Sequence, residues 1–540
     1  RAYNDGIAYR FFTKRKDSIV IKSEEASFNF TGDDSAYIPY SNDPHNHDKY
    51  QCSFENTYQH IKLSQFVKDT VAFAPVLIEL PNNKKAVITE ADLEEYPGMF
   101  LSNAPTGLRG DFAPYVLEQM QNDANPVQAL VTKRAQFIAK VAGTRNFPWR
   151  VVIISTNDKD LLNNDMIYRL ASPSRLQDVS WIKPGKVAWD WWNDWNISHV
   201  NFRAGVNTET YKYYTDFAAA NHIDYILLDE GWSDDKDIMK IVPGIDLPQI
   251  IDYAKQKNVG VWLWMGSYPL DQKMDEIFST YSKMGVKGFK IDFMDRDDQN
   301  MVQFYYRVAK NAAGHHIMVD FHGAYKPTGL LRTYPNVVNV EGVHGMEQLK
   351  WSNPDMPGFD VSIPFIRMIA GPMDYTPGAM RNATKQAFRP INSMPMSQGT
   401  RCHQLAMYVM YEAPFEMLSD NPTAYMRETE SVNFISSIPT TFDETIALDG
   451  KLGEYAAIAR RKNDTWYIGA MNNWNAKDLV LELSFLKEGN YEAEIFQDGI
   501  NADRDATDYK RKIVKITSGQ KWSIHLSNGG GWAAKIYPVK

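Results

Sequence analysis

Carboxylates and tryptophans recur together where short apolar runs in the middle of the sequence end. The most informative segments are Trp189-Asp190-Trp191-Trp192, Asp229-Glu230-Gly231-Trp232, Trp262-Leu263-Trp264, Lys290-Ile291-Asp292 and residues 341–347. Two carboxyl groups beside a glycosidic bond supply the acid and the nucleophile or base that its cleavage requires. Aromatic rings stack on the C–H faces of sugars, and carboxylates accept hydrogen bonds from their hydroxyls. The residue types therefore favour a sugar-cleaving enzyme, although other active sites use the same side chains.

These residues can act in one site only if the secondary structure brings the ends of the apolar runs together. Eight apolar runs alternate with amphipathic stretches, and they lie at 187–191, 225–228, 259–264, 288–293, 316–321, 337–343, 366–370 and 413–418. Apolar residues recur at helical spacing between them, for example at Leu247, Ile250, Ile251 and Ala254. Eight such units predict a TIM (β/α)8 barrel, whose active site lies at the carboxyl ends of the strands. A doubly wound sheet is the alternative, but no Gly-rich phosphate-binding turn follows the first run.

The regions on either side of the barrel are predicted to be β-structure. Residues 1–170 contain short segments rich in Val, Ile, Phe and Tyr between clusters of Asp, Asn and Pro, a pattern typical of a sandwich. Residues 436–540 show similar strands separated by turn signals. We therefore predict a multidomain α/β plus β protein. It has an N-terminal β-sandwich at 1–170, a catalytic barrel at 171–435 and a C-terminal antiparallel β-sandwich at 436–540.

The composition narrows the class of partner. The 540-residue chain has 58 Lys and Arg against 66 Asp and Glu, a formal net charge of -8, and no long basic run. We therefore expect no nucleic-acid partner. No apolar stretch approaches the roughly 20 residues that a membrane helix needs, so we expect no membrane partner either. The two cysteines, Cys52 and Cys402, exclude a disulfide framework and a thiolate metal site.

Several motifs together resemble those of a known family. Residues 288–293, GFKIDF, resemble the fourth-strand signature of the α-galactosidase and α-glucosidase clan, and residues 229–232 are similar to its second-strand substrate motif. The wider pattern adds residues 88–93, His322 with the 326–329 segment, and residues 341–347. Over essentially the whole chain this pattern resembles glycoside hydrolase family 97. The resemblance implies an N-terminal β-sandwich, a central barrel and a C-terminal β-domain.

The resemblance also implies roles for individual residues. Asp292 matches the nucleophile of the retaining branch, and Glu347 matches the general acid/base. Inverting members carry a Glu directly after the strand-five His, whereas Gly323 follows His322 here. A retaining pair of carboxyls lies about 5–5.5 Å apart, while an inverting pair leaves about 6.5–9.5 Å for a water molecule, and Gly323 supplies no base. The implied activity is that of a retaining exo-α-galactosidase acting on small or oligosaccharide substrates with terminal α-galactose.

Further residues are predicted to bind the sugar or a metal ion. The substrate-binding residues are Trp189, Asp190, Asp229, Glu230, Trp264, Lys290 and His322. The resemblance implies a calcium ion held by carboxylates of the first domain and the barrel. Glu90 and Glu341 match its ligand positions, and Glu347 is expected to share the ion. Calcium favours several oxygen ligands, and the Gly at position 323 removes one that the family would supply.

The residues themselves leave alternatives open. Asp295 is a second possible nucleophile, and Glu341 and Glu347 can exchange the roles of acid and ligand. Asp292 can instead cap a helix, and His322 can be a packed core residue. A second functional reading is an inverting α-glucosidase whose base comes from Asp320, Glu341 or Asp374. A third is a non-catalytic carbohydrate-binding protein.

The resemblance extends to the cell compartment and the first domain. It implies the periplasm of a Bacteroides-like bacterium. Residues 1–12 resemble the inside of the family's first sandwich, so we expect either that earlier strands precede them or that this member has a smaller first domain. The sequence predicts no oligomeric state.

Overall fold

The computed structural model describes residues 1–41 and 48–539. Two β-rich regions flank a parallel barrel, as the sequence predicts, although the exact boundaries at 170 and 435 stay predictions. Among the described residues, no helix combines the length and the hydropathy needed to cross a membrane.

The N-terminal region packs a seven-stranded antiparallel sheet against a four-stranded one. In spatial order, the larger sheet contains Ala2–Tyr3, Gly6–Tyr9, Trp149–Ser155, Lys84–Ala91, Val76–Leu80, Ser35–Ile38 and Gln59–Lys62. The smaller sheet contains Ser27–Asn29, Gly107–Phe112, Met99–Ala104 and Ala72–Phe73. Buried side chains from both sheets form one core, which is continuous with that of the barrel. This arrangement confirms the predicted sandwich.

Smaller elements complete this region. Three further strand pairs join Val116–Gln121 to Ala129–Arg134, Ile19–Ile21 to Ala139–Val141, and Phe12–Thr13 to Arg145–Asn146. Short helical turns lie at Leu63–Gln65, Asp158–Leu161 and Met166–Leu170. The hairpin made by Val116–Gln121 and Ala129–Arg134 reaches the barrel, where Tyr268 N donates to Val127 O at 3.0 Å.

The barrel contains seven parallel strands. We number these barrel strands one to seven in chain order: Gly185–Trp189, Tyr225–Leu228, Gly260–Gly266, Gly288–Asp292, Met318–Phe321, Val337–Val340 and Phe415–Leu418. Their side chains are almost all buried because helices cover the outside and neighbouring strands fill the interior. The register aligns Gly266 of strand three with Asp292 of strand four, so the two strands end side by side.

Helices connect these strands and cover the barrel. They span Thr208–Ala220, Leu247–Gln256, Ser267–Met284, Gln299–Gly314, Leu330–Thr333, Met356–Asp360, Arg401–Met410, Pro422–Arg427 and Thr429–Ser437. Short 3-10 helices lie at Met346–Lys350, Ile363–Phe365 and Met368–Ala370. The helix at Leu247–Gln256 buries Leu247, Ile250, Ile251 and Ala254, the apolar positions that the sequence pattern assigns to its inner face.

The apolar run at 366–370 does not form the predicted barrel strand. Its last three residues form the 3-10 helix Met368–Ala370, and the parallel sheet stays open between barrel strands six and seven. Residues 372–375 bridge this gap, since Asp374 N donates to Val340 O at 3.2 Å and Met373 N donates to Glu412 O at 3.0 Å. An irregular segment therefore takes the place of the eighth strand, and the barrel is nearly closed.

The C-terminal region is antiparallel, as predicted. Its six-stranded sheet contains, in spatial order, Glu444–Lys451, Tyr455–Lys462, Thr465–Asn472, Gly531–Pro538, Asn490–Asp498 and Tyr509–Thr517. Lys477–Glu482 and Lys521–Leu526 form a second, two-stranded layer. Apolar residues between these layers make a separate core. The barrel helix Arg401–Met410 packs on the larger sheet and is buried along its whole length.

Candidate active site

A cavity of about 210 Å³ lies at the carboxyl ends of the barrel strands. Eight of the predicted site residues line it: Asp229, Glu230, Trp264, Lys290, Asp292, His322, Glu341 and Glu347. Ser53 and Glu55, from the N-terminal region, line it as well. The cavity is therefore built by both regions, at the end of the barrel where TIM-barrel active sites lie.

Asp292 is the last residue of barrel strand four and is only half-buried, facing this cavity. Trp264 Nε1 donates to its Oδ2 at 3.0 Å, and the backbone N–H of Phe293 donates to its Oδ1 at 2.7 Å. Phe293 has a φ of 62°, a left-handed conformation that is uncommon for an aromatic residue. Burial raises the pKa of Asp292, while the positive charges of His322 and Lys290 oppose that rise. The carboxylate is thus oriented by two donors.

Asp229 and Lys290 form a buried ion pair beside Asp292. Lys290 Nζ lies 2.9 Å from Asp229 Oδ2, and Trp189 Nε1 donates to the same oxygen at 2.5 Å. The Lys290 ammonium also lies 4.8 Å from the centre of the Trp189 ring. Burial lowers the pKa of Lys290, but the carboxylates of Asp229 and Asp292 outweigh it, so the net pKa is raised. Lys290 therefore stays positively charged next to Asp292.

Glu230 is less buried than Asp229 and faces the cavity. Burial, together with the negative charges of Asp229 and Asp292, raises the pKa of Glu230 to about 7. Its side chain can therefore donate or accept a hydrogen bond near neutral pH, which suits contact with a sugar hydroxyl.

His322 lines the cavity, and its two ring nitrogens face three carboxylates. Its Nε2 lies 2.7 Å from Asp374 Oδ2 and 3.4 Å from Asp320 Oδ2, and its Nδ1 lies 3.3 Å from Glu341 Oε1. Burial opposes protonation, but Glu341 and Asp320 raise the pKa of His322 well above its usual value. The contact predicted between His322 and a site carboxylate is present. The packed-core alternative holds in part, because the side chain is 2% exposed.

Glu341 and Glu347 stand close together with opposite pKa shifts. Burial raises the pKa of Glu347, and the adjacent Glu341 charge brings it to about 8. Burial also opposes ionisation of Glu341, but the His322 charge and the hydrogen bonds from its neighbours hold the pKa of Glu341 at about 2. One of those donors is the backbone N–H of Gly323, at 2.8 Å from Glu341 Oε2. Glu347 therefore carries the proton, which is the state that a general acid needs.

Glu55 was not predicted from the sequence, and it joins this acidic group from an irregular segment of the N-terminal region. Burial and the charges of Glu341 and Glu347 raise the pKa of Glu55 well above its usual value, and its carboxyl hydrogen-bonds to Glu341. Ligand atoms of His322, Glu341 and Glu347 lie within 4.8 Å of one another. Glu55, Glu341 and Glu347 supply the carboxylate oxygens that a hard divalent cation prefers.

Glu90, the predicted first-domain ligand, lies elsewhere. Arg150 Nη1 donates to its Oε2 at 2.5 Å, Lys326 Nζ donates to its Oε1, and the backbone N–H of Met99 donates to the same oxygen at 2.9 Å. Glu90 is fully buried. Neither Glu90 nor Glu55 belongs to the two groups of described residues whose ligand atoms lie within 4.8 Å of one another, so these groups do not choose between them. Two cations already neutralise the Glu90 carboxylate. In the acidic group around Glu341 it is the Glu55 carboxyl that represents the first region, and the ligand role of Glu90 stays a prediction.

Trp189 and Asp190 lie beneath the cavity, and neither lines it. Both are fully buried. Trp189 reaches the site through its hydrogen bond to Asp229, whereas Asp190 accepts a hydrogen bond from Trp195 Nε1 at 3.0 Å. Burial and the Asp229 charge raise the pKa of Asp190 to about 7. Trp189 therefore supports Asp229 from beneath the cavity, whereas Asp190 contacts Trp195, and the sugar-binding roles predicted for the two residues stay predictions.

Asp295, the alternative nucleophile, is held on the wall of the cavity. Gln128 Nε2, from the N-terminal region, donates to its Oδ2, and its backbone N–H donates to Gly323 O at 2.7 Å. Its φ is 51°. Asp295 therefore joins the loop after barrel strand four to barrel strand five and to the first region, and its carboxylate is already hydrogen-bonded.

Three profiles of one family match the chain. The profile "Glycosyl-hydrolase 97 N-terminal" matches residues 1–173, "Glycoside hydrolase 97" matches residues 191–343, and "Glycosyl-hydrolase 97 C-terminal, oligomerisation" matches residues 441–537. The matches follow the order of the sandwich, the barrel and the C-terminal β-domain.

Curated relatives and solved structures agree with these profiles. A Bacteroides thetaiotaomicron protein named "Retaining alpha-galactosidase" is 50% identical over 99% of this chain and 82% of its own length. A Streptomyces bingchenggensis protein named "Probable retaining alpha-galactosidase" is 29% identical over 73% of this chain and 58% of its own length. The structure of a Glycoside Hydrolase Family 97 enzyme from Pseudoalteromonas sp. strain K8, in complex with acarbose, superimposes with a TM-score of 0.86 at 28% identity. That match covers 100% of this chain and 84% of the other. The chain therefore belongs to glycoside hydrolase family 97.

Proposed function

We propose that this protein is a retaining exo-acting α-galactosidase. The observation that carries the proposal is the pairing of a half-exposed Asp292, at the end of barrel strand four, with Glu347 in one cavity, while residue 323 has no side chain. The 50% identity to a protein named "Retaining alpha-galactosidase" supports the choice of sugar and of stereochemistry. The proposed substrate is a small molecule or oligosaccharide with terminal α-galactose, and the periplasmic location stays a prediction.

In the first step an Asp292 carboxylate oxygen attacks C1 of the galactose. The bond between C1 and the leaving oxygen breaks, and Glu347 gives its proton to that oxygen. Trp264 Nε1 and the Phe293 N–H hold the attacking carboxylate, which fixes its direction. The products of this step are the free aglycone and a β-galactosyl ester on Asp292.

In the second step Glu347, now ionised, takes a proton from water. The resulting hydroxide equivalent attacks C1, the ester bond to Asp292 breaks, and α-galactose leaves with the starting configuration. Lys290 stabilises the negative charge on Asp292 at the beginning and end of the cycle, because its positive charge favours the ionised form of Asp292. The ion pair with Asp229, at 2.9 Å, holds the Lys290 ammonium group in this buried cluster. Glu230 and the Asp229–Lys290 pair are the proposed partners of the sugar hydroxyls, because all three side chains line the cavity.

Calcium is part of the proposal. Glu55, Glu341 and Glu347 would hold the ion, because ligand atoms of Glu341 and Glu347 lie within 4.8 Å of each other and Glu55 hydrogen-bonds to Glu341. The negative charge of Glu341 also raises the pKa of the other two. When bound, a divalent cation supplies positive charge that offsets this repulsion. His322 orients Glu341 through its 3.3 Å contact.

The alternative functions are less well supported. An inverting α-glucosidase needs a free base facing the sugar, but Asp320 and Asp374 are engaged by His322 beneath the cavity. Glu341 is held by His322 and by the Gly323 N–H. A purely binding protein would not need a protonated acid in the same cavity as an oriented carboxylate.

A proton NMR time course with p-nitrophenyl α-D-galactopyranoside tests the proposal, with the α-glucoside run in parallel. We expect galactose to appear first as the α-anomer. An initial β-sugar, or cleavage of the glucoside alone, would overturn the proposal. The variant Asp292→Gly should lose at least about 10⁴-fold in turnover. Azide should then restore activity and yield β-galactosyl azide, because azide can take the place of the missing carboxylate; Asp295→Gly should show no such rescue.

A further inference from the structure

Trp351 is a large aromatic side chain that stays exposed while lining the active-site cavity. Its relative exposure is 52%, the highest among the aromatic residues of the cavity wall. Its indole Nε1 donates to Asn392 Oδ1 at 3.1 Å, and its ring meets Trp191 edge to face at 5.7 Å. Exposing the apolar surface of an indole to water is unfavourable, yet here a hydrogen bond and a ring contact hold the exposed Trp351 ring in one place.

The position of Trp351 relative to Glu347 identifies which part of a substrate it faces. Glu347 lies in the 3-10 helix Met346–Lys350, and Trp351 caps the end of that helix, with its N–H bonded to Gln348 O at 3.2 Å. A general acid stands beside the leaving oxygen, because it must deliver its proton there. A side chain carried by the same helix and lining the same cavity therefore lies toward the leaving group.

A series of three indoles runs from the buried end of the site to its rim. Trp189 is fully buried and bonds to Asp229, Trp191 stacks on it at 5.9 Å, and Trp351 meets Trp191 at the surface. Lys350 stabilises the middle ring, since its Nζ lies 4.6 Å from the Trp191 ring centre and donates to Trp192 O at 2.9 Å. In the proposed reaction the terminal sugar lies at the buried end, near Asp229 and Asp292, and the rest of the substrate then extends toward Trp351.

We propose that Trp351 is the platform of an aglycone subsite that binds the ring attached to the cleaved galactose. This inference rests on the proposed function. The ligand class is a pyranose or aryl ring, whose face packs on the indole, and Asn392 sets the orientation of that indole. The exposed side chains of Ile391 and Met394, at 41% and 49%, flank Asn392 in sequence and extend the apolar surface of this segment.

The test compares a substrate with an aglycone ring and one without. Melibiose carries a glucose aglycone, whereas α-galactosyl fluoride carries a single atom. For Trp351→Ala we expect kcat/KM for melibiose to fall roughly 5- to 20-fold, the size of one lost aromatic contact. Turnover of α-galactosyl fluoride and inhibition by free galactose should stay within about twofold. Trp351→Phe should restore part of the loss, and Asn392→Ala should cause a smaller loss in the same direction.

Trp181→Ala is the matched control. Trp181 is also a partly exposed tryptophan, but it stacks on His316 at 5.0 Å before barrel strand one, at the opposite end of the barrel. The Trp181→Ala variant should leave kcat/KM for both substrates unchanged. If Trp351→Ala lowers kcat/KM equally for both substrates, or for neither, the aglycone subsite is wrong while the proposed function stands. If the unmodified protein cleaves neither substrate, the proposed function is wrong, and the proposed aglycone subsite is then wrong as well.

Discussion

Asp295 occupies the space that a side chain on Gly323 would need. A Cβ placed on Gly323 would overlap the Asp295 Oδ1 atom and approach the backbone of Phe293, and the φ of Gly323 is +53°. The position where inverting relatives are expected to carry their base is therefore closed by a neighbouring carboxylate and by a backbone conformation that favours glycine. Gly323 is a packing requirement as well as a missing base.

This relationship predicts the outcome of Gly323→Glu. The variant should not become an inverting enzyme, and it should lose about 1–3 kcal/mol of unfolding free energy from strain and overlap. Thermal or denaturant unfolding, together with the NMR anomer assay, measures both effects. Gly314→Glu is the control, because a Cβ there meets nothing within 4 Å. A stable Gly323→Glu enzyme that releases β-galactose would contradict the prediction.

The proton on Glu347 predicts an alkaline limb in the pH profile. With no calcium bound, the pKa of Glu347 is raised to about 8, so the acid loses its proton and kcat/KM of the calcium-free enzyme falls as the pH rises through that value. A bound cation should move this limb to lower pH. In Glu347→Ala this limb should disappear. Turnover of melibiose should fall roughly 10²–10⁴-fold, whereas an aryl galactoside with a good leaving group should lose much less. Equal losses for both substrates would show that Glu347 is not the acid.

Calcium binding should depend on Glu55. Glu55→Gln removes one carboxylate from the group it forms with Glu341 and Glu347, and calcium affinity should fall at least about tenfold. Isothermal titration of chelator-treated protein measures this change directly. Glu230→Gln is the control, because Glu230 lines the same cavity beside Asp229 and Asp292 and should leave the affinity unchanged. Unaltered affinity in Glu55→Gln would remove Glu55 from the ligand set.

Glu90 should matter for stability and not for calcium affinity. Glu90→Gln takes the nearest carboxylate from the buried Lys326, whereas Arg150 keeps its pair with Glu24, so we expect a loss of about 3 kcal/mol in unfolding free energy. Glu94→Gln, which breaks the partly exposed pair with Arg175, should cost at most about 1 kcal/mol. Urea unfolding compares the two variants. A stable Glu90→Gln protein with weakened calcium binding would reverse this assignment.

The contacts of Glu90 with Lys326 and Arg150 also predict that the stability of the protein depends on pH. Burial alone would raise the pKa of Glu90, but Lys326 and Arg150 lower it below its usual value. A carboxyl with a depressed folded-state pKa stabilises the protein above its unfolded pKa, about 4.3, and that contribution is lost as the pH falls. The difference in stability between the parent protein and Glu90→Gln should therefore shrink under acidic conditions.

Local sequence patterns predicted much of the barrel and its site. Alternating apolar runs and amphipathic stretches place Asp229, Asp292 and Glu341 at or just after strand ends, because parallel strands all point their carboxyl ends to one side. The strand predicted at 366–370 was wrong, because a short apolar run is compatible with either a strand or a buried turn.

The sequence by itself determined the order of the regions, the strand that carries Asp292 and the absence of a base at Gly323. The tertiary structure alone decided which acidic residue of the first region joins the group around Glu341, because Glu90 matched the pattern of the family and nothing in the sequence pointed to Glu55. The tertiary structure also decided that Trp351 lies at the rim of the active-site cavity. Such contacts join residues far apart in the chain, as with Glu55 and Glu341. They depend on how whole regions pack against one another, and no local periodicity encodes that packing.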